Sequence, residues 1–381
     1  MFPGILLLAL TFGLMPLPAQ EAPKGVAAVL KPFVDKGNLA GAVTLVADKD
    51  KILSLEAVGY ADVGARRPML VDFLFWIASM NKPITGAGLM LLVDEGKVSL
   101  DDPIEKFLPE FKGLWLISEK SKDRVVLTKP KRLVTVRDVL NHTSGMPFRS
   151  AMEIPTIDVM PLRDCVRSYA LTPLNSEPGT KYVYSNAGIN TAGRIIEVVS
   201  GMSYEDFMQK RLFGPLGMKD TTFWPSEAQL KRLAKTYRPG KGKKGLEEMK
   251  IAHLKYPLSD RGGRYPCPGG GLFSTATDIG IFCQMVLNGG AYKGKRILSE
   301  EAVKQMTSRQ TGPDIKNSYG LGWAVGDGNT GHGGAYSTNM QVDTKRGLVT
   351  VFMVQHAGFP GNGGQSLGAF RKAAEQRYGK K

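Results

Sequence analysis

The sequence has little cysteine and little histidine. Its 381 residues include 3 cysteines and 4 histidines. The odd number of cysteines leaves at least one thiol unpaired, and neither residue type has the spacing of a metal site such as HExxH. We therefore expect no metal ion, and we also predict no other cofactor. Cys283 lies in an apolar run and is predicted to be a buried hydrophobe.

The chain also lacks internal repeats, low-complexity tracts and, after its first residues, any unbroken run of about 18 apolar residues. Glycine (45) and proline (23) are plentiful, which indicates many turns, and 43% of the residues are hydrophobic. This composition supports a large buried core and excludes disordered and collagen-like proteins.

The first 20 residues are apolar up to Ala19 and are followed by a polar stretch. This pattern is typical of a secretory signal peptide that is cleaved near Ala19 or Gln20. An uncleaved membrane anchor is the alternative, although three prolines leave a helical stretch too short to span a bilayer comfortably. We predict an exported protein, either periplasmic or extracellular.

Positive charge is concentrated in one segment. The chain has 50 basic and 35 acidic residues, and residues 229–265 hold eleven Lys or Arg against three acidic residues. Tyrosines in this segment could stack on bases, but no nucleic-acid-binding motif surrounds them, so we expect no nucleic-acid partner. A solvated surface loop is the expected structure, and weak contact with anionic cell-envelope polymers is the alternative.

Strand patterns lie near the two ends of the chain, with helical patterns between them. Apolar runs predict strands at 43–47, 52–59, 318–325, 332–342 and 348–354. Apolar residues spaced alternately by three and one predict a helix from about Ser79 to Glu95. Short turns between the terminal strands favour antiparallel pairing. We predict an α+β fold, in which helices flank an antiparallel sheet and a mostly helical domain is inserted.

The strand distribution also predicts the domain organisation. After residues 1–20, a sheet domain split in sequence comprises 21–95 and 268–381, and the helical insertion comprises 96–267. We expect the functional site at the interface between these two domains.

The first candidate site is Ser79-Met80-Asn81-Lys82, which opens the predicted helix. Ser79 and Lys82 are about one turn apart on the same helix face. Serine needs an adjacent base to act as a nucleophile, and lysine can be that base only if burial or nearby cations lower its pKa of about 10.4. The helix N-terminus would also present main-chain N–H groups to an oxyanion. An ordinary capping serine is the alternative.

The second candidate is Tyr184-Ser185-Asn186, directly before a helix predicted over 186–199. A tyrosine can shuttle protons if nearby cations lower its pKa of about 10. Asn186 can orient a substrate carbonyl or the Lys82 amine. A turn tyrosine followed by a capping residue is the alternative.

The third candidate is His332-Gly333-Gly334-Ala335, which is predicted to open a strand. Glycines at this place let a substrate backbone approach a strand edge closely. The Ala335 N–H could complete an oxyanion hole with that of Ser79. The alternative is a tight turn with an exposed histidine.

These three motifs, in this order and with these separations, resemble those of the serine β-lactamase and penicillin-binding protein superfamily. The chain is most similar to the class C β-lactamase-related branch, which includes family VIII esterases, DD-peptidases and D-aminopeptidases. Other segments also fit the branch: LNHTSGMP (140–147), FGPLGMKDTTF (213–223), GGGLFSTATDIG (269–280) and YGLGW (319–323).

The resemblance implies a β-lactamase/DD-peptidase-like fold and a serine hydrolase that cleaves an ester or amide through an acyl-enzyme on Ser79. It implies that Lys82 and Tyr184 share the general-base work and that the N–H groups of Ser79 and Ala335 bind the oxyanion. The implied substrate-binding residues are Asn186, His332, Gly333 and Gly334.

One departure from the resemblance concerns the third motif. His332 and Gly333 stand where β-lactamases usually have the lysine and threonine of Lys-Thr-Gly. A mostly neutral histidine and a missing hydroxyl should weaken the binding of penicillin-like carboxylates. His-x-Gly variants resemble the esterase and D-aminopeptidase members, so we expect a small-molecule or short-peptide acyl substrate. The alternative is a catalytically silent receptor for cell-envelope peptides. His142 and His356 are predicted to be structural.

Overall fold

The computed structural model describes residues 25–380, and the predicted signal segment lies outside the described residues. Most strands are short and occur near the two ends of the described chain. They are β1 Gly41–Ala47, β2 Ile52–Asp62, β3 Arg67–Pro68, β4 Phe75–Trp76, β5 Leu116–Lys120, β6 Val125–Thr128, β7 Thr236–Pro239, β8 Leu246–Met249, β9 Phe273–Ser274, β10 Ala291–Tyr292, β11 Lys295–Arg296, β12 Ala324–Val325, β13 Asn329–Gly333, β14 Asn339–Asp343 and β15 Leu348–Met353.

The helices occupy the middle of the chain and its two flanks. Short 3₁₀ turns precede α1 (Val26–Leu30) and α2 (Ala78–Met80). The helices are α1 Lys31–Asp35, α2 Asn81–Asp94, α3 Val136–Leu140, α4 Leu162–Ala170, α5 Asn186–Ser200, α6 Tyr204–Met208, α7 Gly214–Leu216, α8 Glu227–Lys231, α9 Ala276–Leu287, α10 Glu300–Thr307 and α11 Ser366–Tyr378.

Seven strands form one antiparallel sheet in the order β12-β13-β14-β15-β1-β2-β3. Strand β1 pairs with both β2 and β15. Strands from near the start and near the end of the chain therefore lie side by side in the centre of this sheet. The predicted α+β class and antiparallel sheet are confirmed. The proposed domain boundaries remain a prediction.

The central strand β1 is buried along its whole length, since apolar layers cover both faces of the sheet. Val43 and Leu45 contact the large core, which includes residues of α2, α5 and α9. Ala42 and Val46 point to the opposite side, into a smaller core with Phe370 of α11. Alternate side chains of a strand point to opposite faces, so one short apolar run joins the two cores.

Helix α2 packs between the sheet and the helices from the middle of the chain. A Cβ at Gly86 would lie 2.5 Å from the Leu321 carbonyl oxygen, and one at Gly88 would lie 2.6 Å from the Met208 sulfur. These distances confirm the close packing that the small residues of this helix predict, and the packing fixes the direction in which the start of α2 points.

The structure corrects two strand predictions near the C-terminus. Residues 318–325 are mostly irregular. Gly322 has a φ of +84°, and only the two residues of β12 join the sheet. His332 lies near the end of β13 and does not open a strand. The chain reverses after Gly333, with Ser337 at φ +67°, before β14 begins.

The basic segment is more structured than a solvated loop. It contains most of α8 and all of β7 and β8. The Arg264 side chain is only 2% exposed, and its Nε lies 2.7 Å from Asp158 Oδ2. Exposed members such as Lys235 and Arg238 pair with acidic neighbours. Part of the local positive charge is therefore balanced within the protein.

Two predicted structural side chains lie where they stabilise the fold. Cys283 is completely buried in the large core. His356 is also buried, and its Nε2 accepts a hydrogen bond of 3.1 Å from the Ala40 N–H beside β1. Among residues 25–380, no helix combines the length and apolar character needed to cross a lipid bilayer.

Candidate active site

Ser79 lies in the 3₁₀ turn directly before α2. The preceding segment is fixed by the pairing of β4 with β9 and by a 3.0 Å hydrogen bond from the Ile77 N–H to the Leu272 carbonyl. Ala78 has a φ of +46°, a left-handed conformation that is unfavourable for a residue with a side chain. This tight turn leaves the Ser79 side chain partly exposed at the start of a buried helix.

Lys82 is completely buried and contacts Ser79. Its Nζ lies 3.0 Å from Ser79 Oγ and 2.6 Å from the carbonyl oxygen of Gly269. Burial lowers the pKa of Lys82 to about 7, because a charged amine loses its hydration in the protein interior. The amine can therefore exist in its neutral form near pH 7 and accept the Ser79 proton.

The carbonyl that holds Lys82 is itself fixed by a residue of α5. Asn190 Oδ1 accepts a hydrogen bond of 2.9 Å from the Gly269 N–H, and the Asn81 amide donates to the Cys267 carbonyl at 3.0 Å. The sequence patterns predict no role for Gly269 or Asn190. The available signal was a second asparagine one turn after Asn186, on the otherwise apolar face of a predicted helix.

Tyr184 faces Ser79 from the loop that leads into α5. Its hydroxyl interacts with the Ser79 hydroxyl, and Lys82 Nζ lies 4.8 Å from the centre of its ring. Burial raises the pKa of Tyr184 above its ordinary value. The condition that nearby cations lower this pKa is therefore not met, because loss of hydration on burial is the largest contribution and raises it. Tyr184 keeps its proton and can serve as a neutral donor or relay.

Asn186 lies at the start of α5 and lines the same cleft as Ser79. It makes no hydrogen bond to Lys82 among the described residues, so the predicted option of orienting that amine is not seen. Its buried Oδ1 has no hydrogen-bond partner within residues 25–380. An unpaired buried oxygen is unfavourable, and here a donor group of a substrate could satisfy it.

The third motif forms the opposite side of the cleft. Both ring nitrogens of His332 are bonded to the protein: Nε2 lies 2.9 Å from Tyr319 Oη, and Nδ1 lies 2.7 Å from the Gly333 carbonyl oxygen. A role for His332 and Gly333 in substrate binding stays a prediction. Gly334 allows close contact, since a Cβ there would lie 2.5 Å from the Ile77 carbonyl oxygen. This contact places Ala335 beside Ser79, and both line the cleft.

The main-chain N–H groups of Ser79 and Ala335 are available for a ligand. In the described part of the chain, neither donates a hydrogen bond to another protein group. The Gly334 N–H, by contrast, donates a hydrogen bond of 2.8 Å to the Thr338 carbonyl oxygen. Two free donors on either side of a nucleophile have the arrangement of an oxyanion hole.

A cavity of about 270 Å³ opens from Ser79. Its walls are mostly apolar or aromatic and come from segments that are far apart in the sequence, with Arg149 as a charged lining residue. Such a cavity can hold an acyl group next to the nucleophile. Its other main lining side chains are Trp76, Phe148, Ile157 and His253. Within the described residues, no three potential metal ligands cluster.

The chain is similar to known proteins along most of its length. A family model described as Beta-lactamase matches residues 26–370. Protein Rv1367c of Mycobacterium tuberculosis is 31% identical over 366 residues, covering 87% of this chain and 90% of that protein. Esterase EstB of Burkholderia gladioli is 30% identical over 275 residues, covering 66% and 67%. The solved structure of EstCE1, a hydrolase with promiscuous acyltransferase activity, has a TM-score of 0.76, 23% identity and coverage of 92% and 97%.

Proposed function

Because the chain belongs to the beta-lactamase family of serine hydrolases, we propose that it is an exported esterase. It would transfer apolar acyl groups to water through Ser79. The observation that carries this proposal is the 3.0 Å contact between Ser79 Oγ and a buried lysine amine at the mouth of a largely apolar cavity. A relative named as an esterase supports the same substrate class.

In the proposed acylation, Ser79 Oγ attacks the ester carbonyl carbon and its proton passes to neutral Lys82. The carbonyl oxygen becomes an oxyanion that accepts hydrogen bonds from the N–H groups of Ser79 and Ala335. Removing one such donor typically costs about 2.7–4 kcal/mol in transition-state stabilisation. The bond to the alcohol oxygen then breaks, and the alcohol takes the proton from Lys82, directly or through the Tyr184 hydroxyl.

Deacylation reverses these roles. A water molecule gives a proton to neutral Lys82, through Tyr184 or directly, and attacks the acyl carbon. The second oxyanion collapses, Ser79 Oγ leaves with the proton, and the free acid departs. Tyr184 relays a proton without ionising, which agrees with its raised pKa.

The proposal favours esters over substrates that need a cationic third motif. Both ring nitrogens of His332 form hydrogen bonds with protein groups, and burial lowers the pKa of His332 to about 3. The motif therefore supplies no positive charge for a substrate carboxylate at neutral pH. We expect nitrophenyl esters of short and medium acyl chains to be cleaved faster than nitrocefin or D-alanyl peptides.

The test is Ser79→Ala, compared with Ser118→Ala on the exposed β5–β6 hairpin. Ser79→Ala should lower nitrophenyl butyrate turnover by at least about 10³-fold, since nothing replaces the nucleophile. Ser118→Ala should retain wild-type turnover, and both variants should unfold in urea like the wild type. Normal turnover by folded Ser79→Ala would exclude the mechanism. If the wild-type protein binds esters without cleaving them, the esterase proposal is wrong and the alternative of a catalytically silent receptor is favoured.

A further inference from the structure

Four hydrogen bonds connect the loop before α5 to the third motif. The Ser185 N–H lies 3.2 Å from His142 Nδ1, and His142 Nε2 lies 3.3 Å from Tyr319 Oη. Tyr319 Oη also lies 2.9 Å from His332 Nε2, and His332 Nδ1 lies 2.7 Å from the Gly333 carbonyl oxygen. Tyr319 is thus the central member and is only 3% exposed.

The two ends of this series determine every proton position within it. A main-chain N–H can only donate, so His142 Nδ1 accepts and its Nε2 carries the proton. A main-chain carbonyl can only accept, so His332 Nδ1 carries a proton. Tyr319 Oη then accepts from His142 and donates to His332 Nε2, which leaves no group without a partner. Both imidazoles are neutral, and each is held in one tautomer.

The groups around the series favour this state. His332 faces Lys82 of α2 and the Tyr184 ring, and it lines a surface cavity together with Arg371 of α11. Burial and the Lys82 charge lower the pKa of His332 to about 3, and burial also lowers the pKa of His142 well below its usual range. Burial raises the pKa of Tyr319, with smaller contributions from Tyr184 and Tyr182. Lys82 is therefore the member of this group that titrates near pH 7.

We infer that Tyr319 is a positioning residue, which donates to His332 Nε2, keeps that imidazole neutral and sets the separation between Tyr184 and the Ala335 N–H. Tyr184 directly precedes Ser185, whose N–H contacts His142, and Ala335 lies two residues after Gly333, whose carbonyl contacts His332. These two groups lie on opposite sides of the acyl carbon in the proposed reaction. The Tyr319 hydroxyl affects the reaction by positioning these two groups, without contacting the substrate.

The first test reads the tautomers without using activity. The chain has 4 histidines, so long-range ¹H–¹⁵N spectra of the full chain with ¹⁵N-labelled histidine can be assigned with His142→Gln and His332→Gln. We expect His142 as the Nε2–H form and His332 as the Nδ1–H form, unchanged from pH 8 to pH 5.5. An Nε2–H form of His332, or a titration midpoint within that interval, would overturn the inference.

The second test compares Tyr319→Phe with Tyr182→Phe. The Tyr182 ring packs against both His142 and Tyr319, but its hydroxyl makes no hydrogen bond within residues 25–380. Tyr319→Phe leaves His332 Nε2 without its hydrogen-bond donor, so the Nε2 ¹⁵N resonance should move to higher frequency while Nδ1 stays protonated. The variant should also lower kcat for nitrophenyl butyrate by roughly 10- to 100-fold, with KM changed less than about threefold. Tyr182→Phe should keep both tautomers and the wild-type kinetics. An unchanged Nε2 resonance of His332 in Tyr319→Phe would contradict the inference.

The kinetic part of this inference rests on the proposed esterase function, whereas the tautomers do not. If Ser79→Ala proves active, the proposed function fails and the spectra still decide the role of Tyr319. If Tyr319→Phe does not fold, the wild-type spectra alone confirm or reject the assigned proton positions.

Discussion

Lys82 is the residue whose environment most affects the chemistry. Its amine has two hydrogen-bond partners, Ser79 Oγ and the Gly269 carbonyl, and neither carries a formal charge. A buried ammonium without a carboxylate partner is unfavourable, so the proton is held less tightly than in water. The same burial that destabilises the charged form produces the neutral base that serine requires.

The pKa of Lys82 predicts the pH dependence of activity. Since the neutral amine is the active form, kcat/KM for nitrophenyl butyrate should rise with pH through an apparent pKa near 7. At pH 6 it should be roughly a tenth of the plateau value. The raised pKa of Tyr184 predicts that the plateau continues to at least pH 9. Stopped-flow or initial-rate measurements in a constant-ionic-strength buffer check this, and a flat profile between pH 6 and 9 would contradict it.

At the residue scale, the sequence indicates the reacting groups but not what holds them. A serine and a lysine three residues apart at the start of a helix are visible in the sequence, and so is a tyrosine before the next helix. The anchors Gly269 and Asn190, by contrast, act through one main-chain carbonyl and one amide that meet only after folding. The raised pKa of Tyr184 was not predictable, because it depends on how deeply the ring is buried.

At the scale of elements, α2 and the YGLGW segment form one unit. A Cβ at Gly322 would lie 2.6 Å from the Lys82 carbonyl oxygen, and the Leu321 carbonyl occupies the space above Gly86. Gly320 approaches the Met306 carbonyl in the same way. The segment therefore packs as an irregular stretch against the helix that carries the base. The alternation of its side chains predicted a strand because the pattern contains no information about this contact.

The packing of α2 can be tested with two helical glycines. Gly86→Ala should lower the free energy of unfolding by about 1–3 kcal/mol, since its Cβ meets a main-chain carbonyl oxygen that cannot move freely. Gly368→Ala in α11 has no atom within 4 Å of the new Cβ, so it should raise the free energy by about 0.5–1 kcal/mol through helix propensity. Urea unfolding of both variants checks this. Equal effects of the two substitutions would contradict the packing described for α2.

At the scale of the whole molecule, the fold class was predictable and the cavity was not. Strand patterns at both ends and helical patterns between them correctly indicated one antiparallel sheet made from the two ends of the chain. The cavity walls come from residues as far apart as Trp76, Phe148 and His253. Segments without periodicity determine its shape, and nothing in their spacing shows that they meet.

Export is also a property of the whole molecule. We propose that residues 1–20 direct export and are then removed, because an apolar stretch that ends at Ala19 and is followed by polar residues is typical of a signal peptide. Expression of the full chain in a bacterial host should yield extracytoplasmic protein whose intact mass corresponds to cleavage near Ala19 or Gln20. A variant without residues 1–20 is the control and should stay in the cytoplasm. Full-length protein found in the cytoplasm would contradict this proposal.

The central claim is that an acyl group is transferred to Ser79, and mass spectrometry of acid-quenched reactions tests it most directly. Wild-type protein mixed with nitrophenyl butyrate and quenched during turnover should gain the mass of one butyryl group, located by peptide mapping on the peptide that contains Ser79. Ser79→Ala should gain none, and Ser118→Ala should behave like the wild type. A butyryl group on a different residue, or turnover that continues in Ser79→Ala, would contradict the account.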